Sequence, residues 1–376
     1  MRAYVLTDKA LERYAGRFVW LAVDTEDAKN AAFLKKFPIP VLPTLLVIDP
    51  KKESVAMRYP GGATVPQLKK LLDDGERAVK GKGNTADEAL ARADALASAG
   101  KTKEAAAEYA AAVKAAPKGW SRLGRASESL LLALSMTNQG EDCATQAATL
   151  YPKLKGTISG ANVASTGVGC AGDLPAENPK RAALLSTLET ATREAFDDKS
   201  IVMSGDDRSG LYQALIGARE AAGDKESAQK LTAEWSAFLD AQAAKAKTPE
   251  QRASYDPHRL SAYMALKTPE KAVPMLEQTE RDLPGDYNAP SRLAVAYKAM
   301  GKFDEALAAN DRALAKAYGP RKIGIYRTRA DIYIAKGDKE AAKKTINDAI
   351  AYAESLPEGQ KSDRTVAALK KKLETM

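Results

Sequence analysis

Nucleophilic, redox or metal chemistry in this chain has few side chains to pass through. Cys143 and Cys170 are its two cysteines and His258 its one histidine, in 376 residues. Neither cysteine sits in a C-x-x-C or beside a histidine. Dithiol exchange needs an activated thiolate and a resolving thiol close by, so a catalytic pair is disfavoured. Two readings stay open. A disulfide would close a long loop, contribute about 3 to 4 kcal/mol in the chain-entropy model and point to an oxidising compartment. Alternatively, the two are unrelated buried thiols. The stretch between them, "KGTISGANVASTGVGCAGDLP", reads as irregular. A single histidine leaves no histidine metal cluster and no Ser-His-Asp arrangement by spacing, so neither a metal nor a cofactor is expected. Gly167, Gly169 and Gly172 match G-x-G-x-x-G, but no strand precedes them and "DLPAENP" follows where a phosphate-binding helix should begin.

The elements that would position these residues fall into two regimes. Before about Asp73, "RFVWLAVD" and "PTLLVID" are short apolar runs bounded by Gly, Pro and Asp, the pattern of buried strands. "TEDAKNAAFLKKF" between them has helical spacing, with Thr25 or Asp24 available as N-cap. "SVAMRYPGG" reads as a further strand, and "TVPQLKKLLDDG" as a helix stopped by Gly75. The spacing therefore predicts an α/β region over residues 1–75 and a linker over 76–86. Helical pairs follow over 87–376. In "LARADALASAGKTKEAAAEYAAAVKAAPKG" small residues fall where two antiparallel helices would touch. "RLAVAYKAMGKFDEALAANDRAL" and the stretch around Gly337 repeat the pattern at a period of about 34 to 36 residues, giving five to six helix pairs.

Composition limits the functions available. The hydrophobic content of 45% supplies packed cores, and the aromatic content of 6% with abundant alanine suits closely packed helices. The 57 Lys and Arg against 49 Asp and Glu give a net charge of +8, but the signs alternate along the chain, as on a solvated surface. The densest basic cluster, "KKKLETM", is terminal, so nucleic acid is not an expected partner. No apolar run approaches the roughly 20 residues of a spanning helix, and the start lacks the pattern of a signal peptide. As written the chain reads as cytoplasmic, and as periplasmic or otherwise extracytoplasmic if its true start lies upstream.

The segment "FPIPVLPTLLVIDP", together with "RFVWLAVDTED" before it and "YPGGATVPQLKKLLDDG" after it, resembles the thioredoxin-like family in motif and in order. The resemblance implies a cis Leu42–Pro43 bond and a backbone at Leu42, Pro43 and Thr44 that pairs with an extended substrate peptide. It also implies a departure. "MRAYVLTDKALERYAG" takes the place of the helix that follows the family's catalytic C-x-x-C, so Met1 matches an internal methionine and the C-x-x-C itself is missing. The strand that leads into that motif would lie between the two apolar strands, leaving their edges without a shared neighbour.

From residue 87 onward the repeats resemble the tetratricopeptide repeat family. That resemblance places ligand contacts on the inner helix of each pair, at Asn288, Ser291, Val295 and Lys298 in one unit and Arg327 and Asp331 in the next. The Lys/Asn pattern by which some such repeats clamp a terminal carboxylate is not reproduced. The expectation is a thioredoxin-like domain fused to a tetratricopeptide-type solenoid that binds protein or peptide partners. It would act as a disulfide oxidoreductase only if an upstream C-x-x-C exists. The rival reading is a non-catalytic interaction scaffold.

Overall fold

The computed structural model describes residues 3–81 and 83–375. Met1, the methionine singled out above, lies outside them, as do Arg2, Lys82 and Met376. In chain order the first elements are α1 (Ala31–Lys36), β1 (Thr44–Asp49), β2 (Ser54–Pro60), α2 (Val65–Val79), α3 (Thr85–Ser98), α4 (Thr102–Lys114), α5 (Leu123–Met136), α6 (Gly140–Leu154) and α7 (Ile158–Gly172). Next come α8 (Arg181–Asp197), α9 (Gly205–Ala221), α10 (Lys225–Ala244), α11 (Pro249–Ala253), α12 (Asp256–Ala265) and α13 (Ala272–Asp282). The chain closes with α14 (Asn288–Ala299), α15 (Phe303–Lys316), α16 (Arg321–Lys336), α17 (Lys339–Ser355) and α18 (Asp363–Glu374). Two compact units form: Met1–Arg17 with Ile39–Trp235, and Phe18–Pro38 with Ser236–Met376.

In the first unit β1 and β2 form an antiparallel hairpin, Leu46 opposite Arg58, with an irregularity between Val47 and Ile48. Thr64 and Gln67 build a capping box that starts α2, satisfying two of the amide groups a helix start leaves open. Leu68, Leu71 and Leu72 turn inward. The helix does not stop at Gly75, as the sequence predicts, but runs to Val79. Gly75 serves packing instead: a Cβ there would stand 2.5 Å from Val47 Cγ2. Upstream, the expected helix shrinks to a 3₁₀ segment at Lys9–Tyr14. It is held by the buried Tyr14, whose hydroxyl donates to the Lys69 carbonyl at 3.0 Å and to Asp73 at 3.1 Å. A helix so short gains too few backbone bonds to repay its nucleation.

Helices α3 to α9 then pack successively, α3 on α4 and α6 on α7 most extensively. The stretch expected to be irregular is α7. Thr157 caps it by accepting the Gly160 N–H at 3.0 Å. Its glycines let neighbours close in rather than breaking it: a Cβ on Gly167 would stand 2.5 Å from Ala147 Cβ. Glycine costs helix propensity, which is why the sequence pattern missed this element.

The second unit holds α11 to α18 and, against them, residues 18–38. The run "RFVWLAVD" is not a strand. Among the described residues it has no ladder partner, and Val19 and Leu21 are 89% and 78% exposed. A strand exists only through its neighbours' hydrogen bonds, and no described strand lies beside it. The helix after it begins later than expected. Asp27 accepts the Lys29 N–H at 3.0 Å and caps a short turn leading into α1, while Asp24 accepts the Glu26 N–H at 2.9 Å. This segment docks on two loops of the repeats. Glu26 accepts the Arg321 N–H at 2.7 Å, Tyr318 donates to Asp24 at 2.7 Å, and Gln360 donates to the Thr25 carbonyl at 2.9 Å. Of the α/β fold expected over residues 1–75, only a part is seen. Among the described residues the sheet is a two-stranded hairpin with α2 packed on it, and the chain is otherwise mostly helical.

Candidate functional site: the open face of the C-terminal repeats

In the second unit α14 packs against α15 and α16 against α17, and α14 also touches α12 and α16. Alanine makes this possible. Ala294, Ala306, Ala309, Ala313, Ala330 and Ala349 are fully buried, and their small side chains let the helix axes approach. Each turn between paired helices uses a left-handed glycine, Gly301 at φ +73° and Gly337 at φ +87°, a conformation that costs other residues a Cβ clash. The residue after each glycine closes the turn, Lys302 N–H to the Tyr297 carbonyl and Asp338 N–H to the Tyr333 carbonyl, both at 2.9 Å.

Neighbouring repeats are tied by ion pairs. Arg312 of α15 grips Glu280 of α13 with two bonds of 2.9 and 3.0 Å, and that pairing holds the Glu280 carboxyl below its usual range. The buried Asn310 donates to the Ile325 carbonyl at 3.0 Å, and Thr279 to the fully buried Asp256 at 2.8 Å. Sequence reasoning missed both contacts. The only signal for either was a polar residue at a core-facing position.

The residues expected to face a ligand lie on α14 and α16. Leu293, Ala294 and Ala296 of α14 are buried in the core, while Asn288, Ser291, Val295 and Lys298 are partly exposed, Val295 still packed against that core. Arg327 is exposed and Asp331 partly so. Two of the six are already engaged: Asn288 donates to Asp286 at 2.7 Å, and Asp331 is paired with Lys372 of α18. Arg292, absent from the expected set, shares the open side of α14 by its place one turn after Asn288. Among the described residues it has no hydrogen-bond or ion-pair partner, and the same holds for Lys298 and Arg327. Burial pushes the Arg292 guanidinium below its ordinary value, against the pull of Asp256 and Asp286.

The other expected residues lie in the first unit. The Leu42–Pro43 bond is cis. The Pro43 carbonyl accepts the Gly61 N–H at 2.7 Å, Thr44 donates to the Val41 carbonyl at 2.6 Å, and Leu42 is 48% exposed. Cys143 and Cys170 are buried and joined, with an S–S distance of 2.00 Å, linking α6 to α7. Among the described residues no group of three acidic, histidine or cysteine side chains is placed to hold a metal. No described helix is long and apolar enough to cross a membrane.

Two tetratricopeptide repeat family models match the chain, over residues 263–322 and 324–355. Those residues form tetratricopeptide repeats. The matches run from within α12 to the end of α17 and so contain all six expected ligand-facing positions. Neither match reaches residues 1–75, and the comparisons give the thioredoxin-like resemblance no support. No curated protein matches the chain in sequence. Among solved structures, a tetratricopeptide repeat protein from Parabacteroides merdae is 11% identical, covering 78% of this chain and 100% of its own, with a TM-score of 0.48. The TPR2AB domain of yeast Sti1, solved as a complex with pHSP90, is 18% identical over 77% of this chain and 98% of its own, with a TM-score of 0.29.

Proposed function

We propose that this protein is a non-catalytic interaction scaffold whose tetratricopeptide repeats hold an extended segment of a protein partner along α14 and α16. The observation that carries this reading is the open face itself. It presents Ser291, Val295, Lys298 and Arg327 beside the half-buried Arg292, and the three cations on it have no partner among the described residues. A guanidinium partly withdrawn from water with no hydrogen-bond partner, drawn only through space by Asp256 and Asp286, is a cost to the fold that a bound acceptor would offset. Disulfide exchange by this chain finds no support, because both cysteines are spent on one buried link. That link suits an oxidising compartment.

The reading is tested by placing a photo-crosslinking residue at Ser291, Val295 or Arg327, and in separate variants at the exposed outer position Lys344, in cells that naturally make the protein. Crosslinks to a defined partner from the first three positions and none from Lys344 are expected. Equal labelling from both faces, or none from the open face, overturns it.

A further inference from the structure

Two stretches of this chain leave their main-chain groups open. In the hairpin the Gly61 N–H donates to the Pro43 carbonyl at 2.7 Å, and this fixes the phase of the ladder, because bonded pairs alternate with non-bonded ones. Leu45 opposite Tyr59 and Val47 opposite Met57 are then the bonded pairs, while Thr44 opposite Pro60 and Leu46 opposite Arg58 turn their main-chain groups outward. On the β2 side the outward Arg58 carbonyl accepts from Arg125 at 3.2 Å, and α3 packs against the strand. On the β1 side the outward N–H and C=O groups of Thr44 and Leu46 meet no partner among the described residues. Open edges are commonly guarded by lysine or proline, yet the run "TLLVI" of β1 has neither, and its side chains are half-buried.

The second stretch is residues 19–23. Their N–H and C=O groups also meet no partner among the described residues. The rings of Phe18 and Trp20 meet edge to face with centroids 6.1 Å apart, so residues two apart share a side, as they do in a strand. Val19 and Leu21 stand in water.

We propose that residues 19–23 of one copy add to the free edge of β1 in a second copy, and that the exchange is reciprocal, closing a two-fold dimer. The pairing gives partners to both sets of open main-chain groups and removes Val19 and Leu21 from water. Because each copy carries both the edge and the strand that fits it, two copies satisfy each other and leave no open end. Charge sets the direction. A strand parallel to β1, with Val19 beside Leu46, brings Asp24 to Lys51 in the hairpin turn, and neither residue makes an ion pair among the described residues. Run the other way, the strand would set Arg17 near Lys51 and Lys52, like charge against like.

The experiment is sedimentation velocity of the full chain between about 1 and 100 μM, where a monomer passing into a dimer is expected. The double variant V19K/L21K should weaken the dimer at least tenfold without moving Tm, because both side chains stand in water in the single copy. K51E should weaken it as well. The control V202K, at a comparably exposed valine of the first unit, should leave it unchanged. Hydrogen exchange locates the contact: the amides of residues 19–23 and of Leu46 should be protected at dimer concentrations and open at monomer concentrations. A monomer throughout the range, a dimer that V19K/L21K or K51E leaves intact, or equal loss in V202K overturns the proposal. Protection of the same amides in the monomer also overturns it, since no second copy is then needed.

Discussion

Arg125 of α5 donates to Asp94 of α3 at 2.6 Å, while Tyr109 of α4 donates to the other oxygen of the same carboxylate at 2.8 Å. Asp94 is fully buried, and Arg125 donates again at 3.2 Å to the Arg58 carbonyl of β2. One buried carboxylate thus holds three helices and the hairpin together. Removing one member of a buried pair leaves the other charged and unpaired, which costs about 3 to 5 kcal/mol. Asp94→Asn should therefore lower stability by that order in urea unfolding. Tyr109→Phe, which removes one hydrogen bond, should cost about 1 to 2 kcal/mol. Equal and small losses would show that the cluster does not hold the unit together.

Glu128 makes stability depend on pH. Burial pushes its carboxyl up, against the hydrogen bonds from Ser159, Asn162 and Tyr59. A carboxyl with a higher pKa folded than unfolded binds its proton preferentially in the folded state. Its contribution is fully present below the unfolded value of about 4.3 and is lost as pH rises through the folded value. Between pH 7 and pH 5 the wild type should gain stability relative to Glu128→Gln, measured by urea midpoints across that range. A difference that stays flat or reverses would contradict the assignment.

The disulfide between Cys143 and Cys170 spans 27 residues. In the chain-entropy model a loop of that length contributes about 3 to 4 kcal/mol. The double variant Cys143→Ala with Cys170→Ala should unfold at correspondingly lower denaturant, and adding reductant should shift the wild type but not the variant. Equal midpoints for the two proteins under oxidising conditions would contradict this.

Gly359 lies directly against the Ala31 carbonyl, where a Cβ could not fit. Gly359→Ala should push residues 24–36 off the repeats while leaving the repeats folded. Hydrogen exchange reads this directly: amides of α1 should exchange at least tenfold faster, with α14 to α17 unchanged. Unchanged protection of α1 would show that the loop yields instead.

The sequence was a good guide to the repeats and a poor one to residues 1–38. Alanine, tyrosine and glycine at a fixed period report contacts between helices next to each other in the chain, so the pairs from α14 to α17 could be read before any coordinates. Arg292 escaped because its burial without a hydrogen-bond partner comes from the fold around it and leaves no pattern in the chain. The run at residues 17–24 misled because its apolar residues look like a strand, while a strand also requires neighbours that only the fold can supply.

By itself, then, the sequence determined local structure: the hairpin at residues 44–60, α2, and the helix–turn–helix rhythm with its glycine turns. These follow from propensity, capping and spacing within a few turns of chain. Tertiary structure alone decided which distant groups meet. It set Glu26 against Arg321 and Arg125 against Asp94. Contacts between residues far apart in the chain depend on how whole helices stack, and that depends on side-chain volumes summed over many positions.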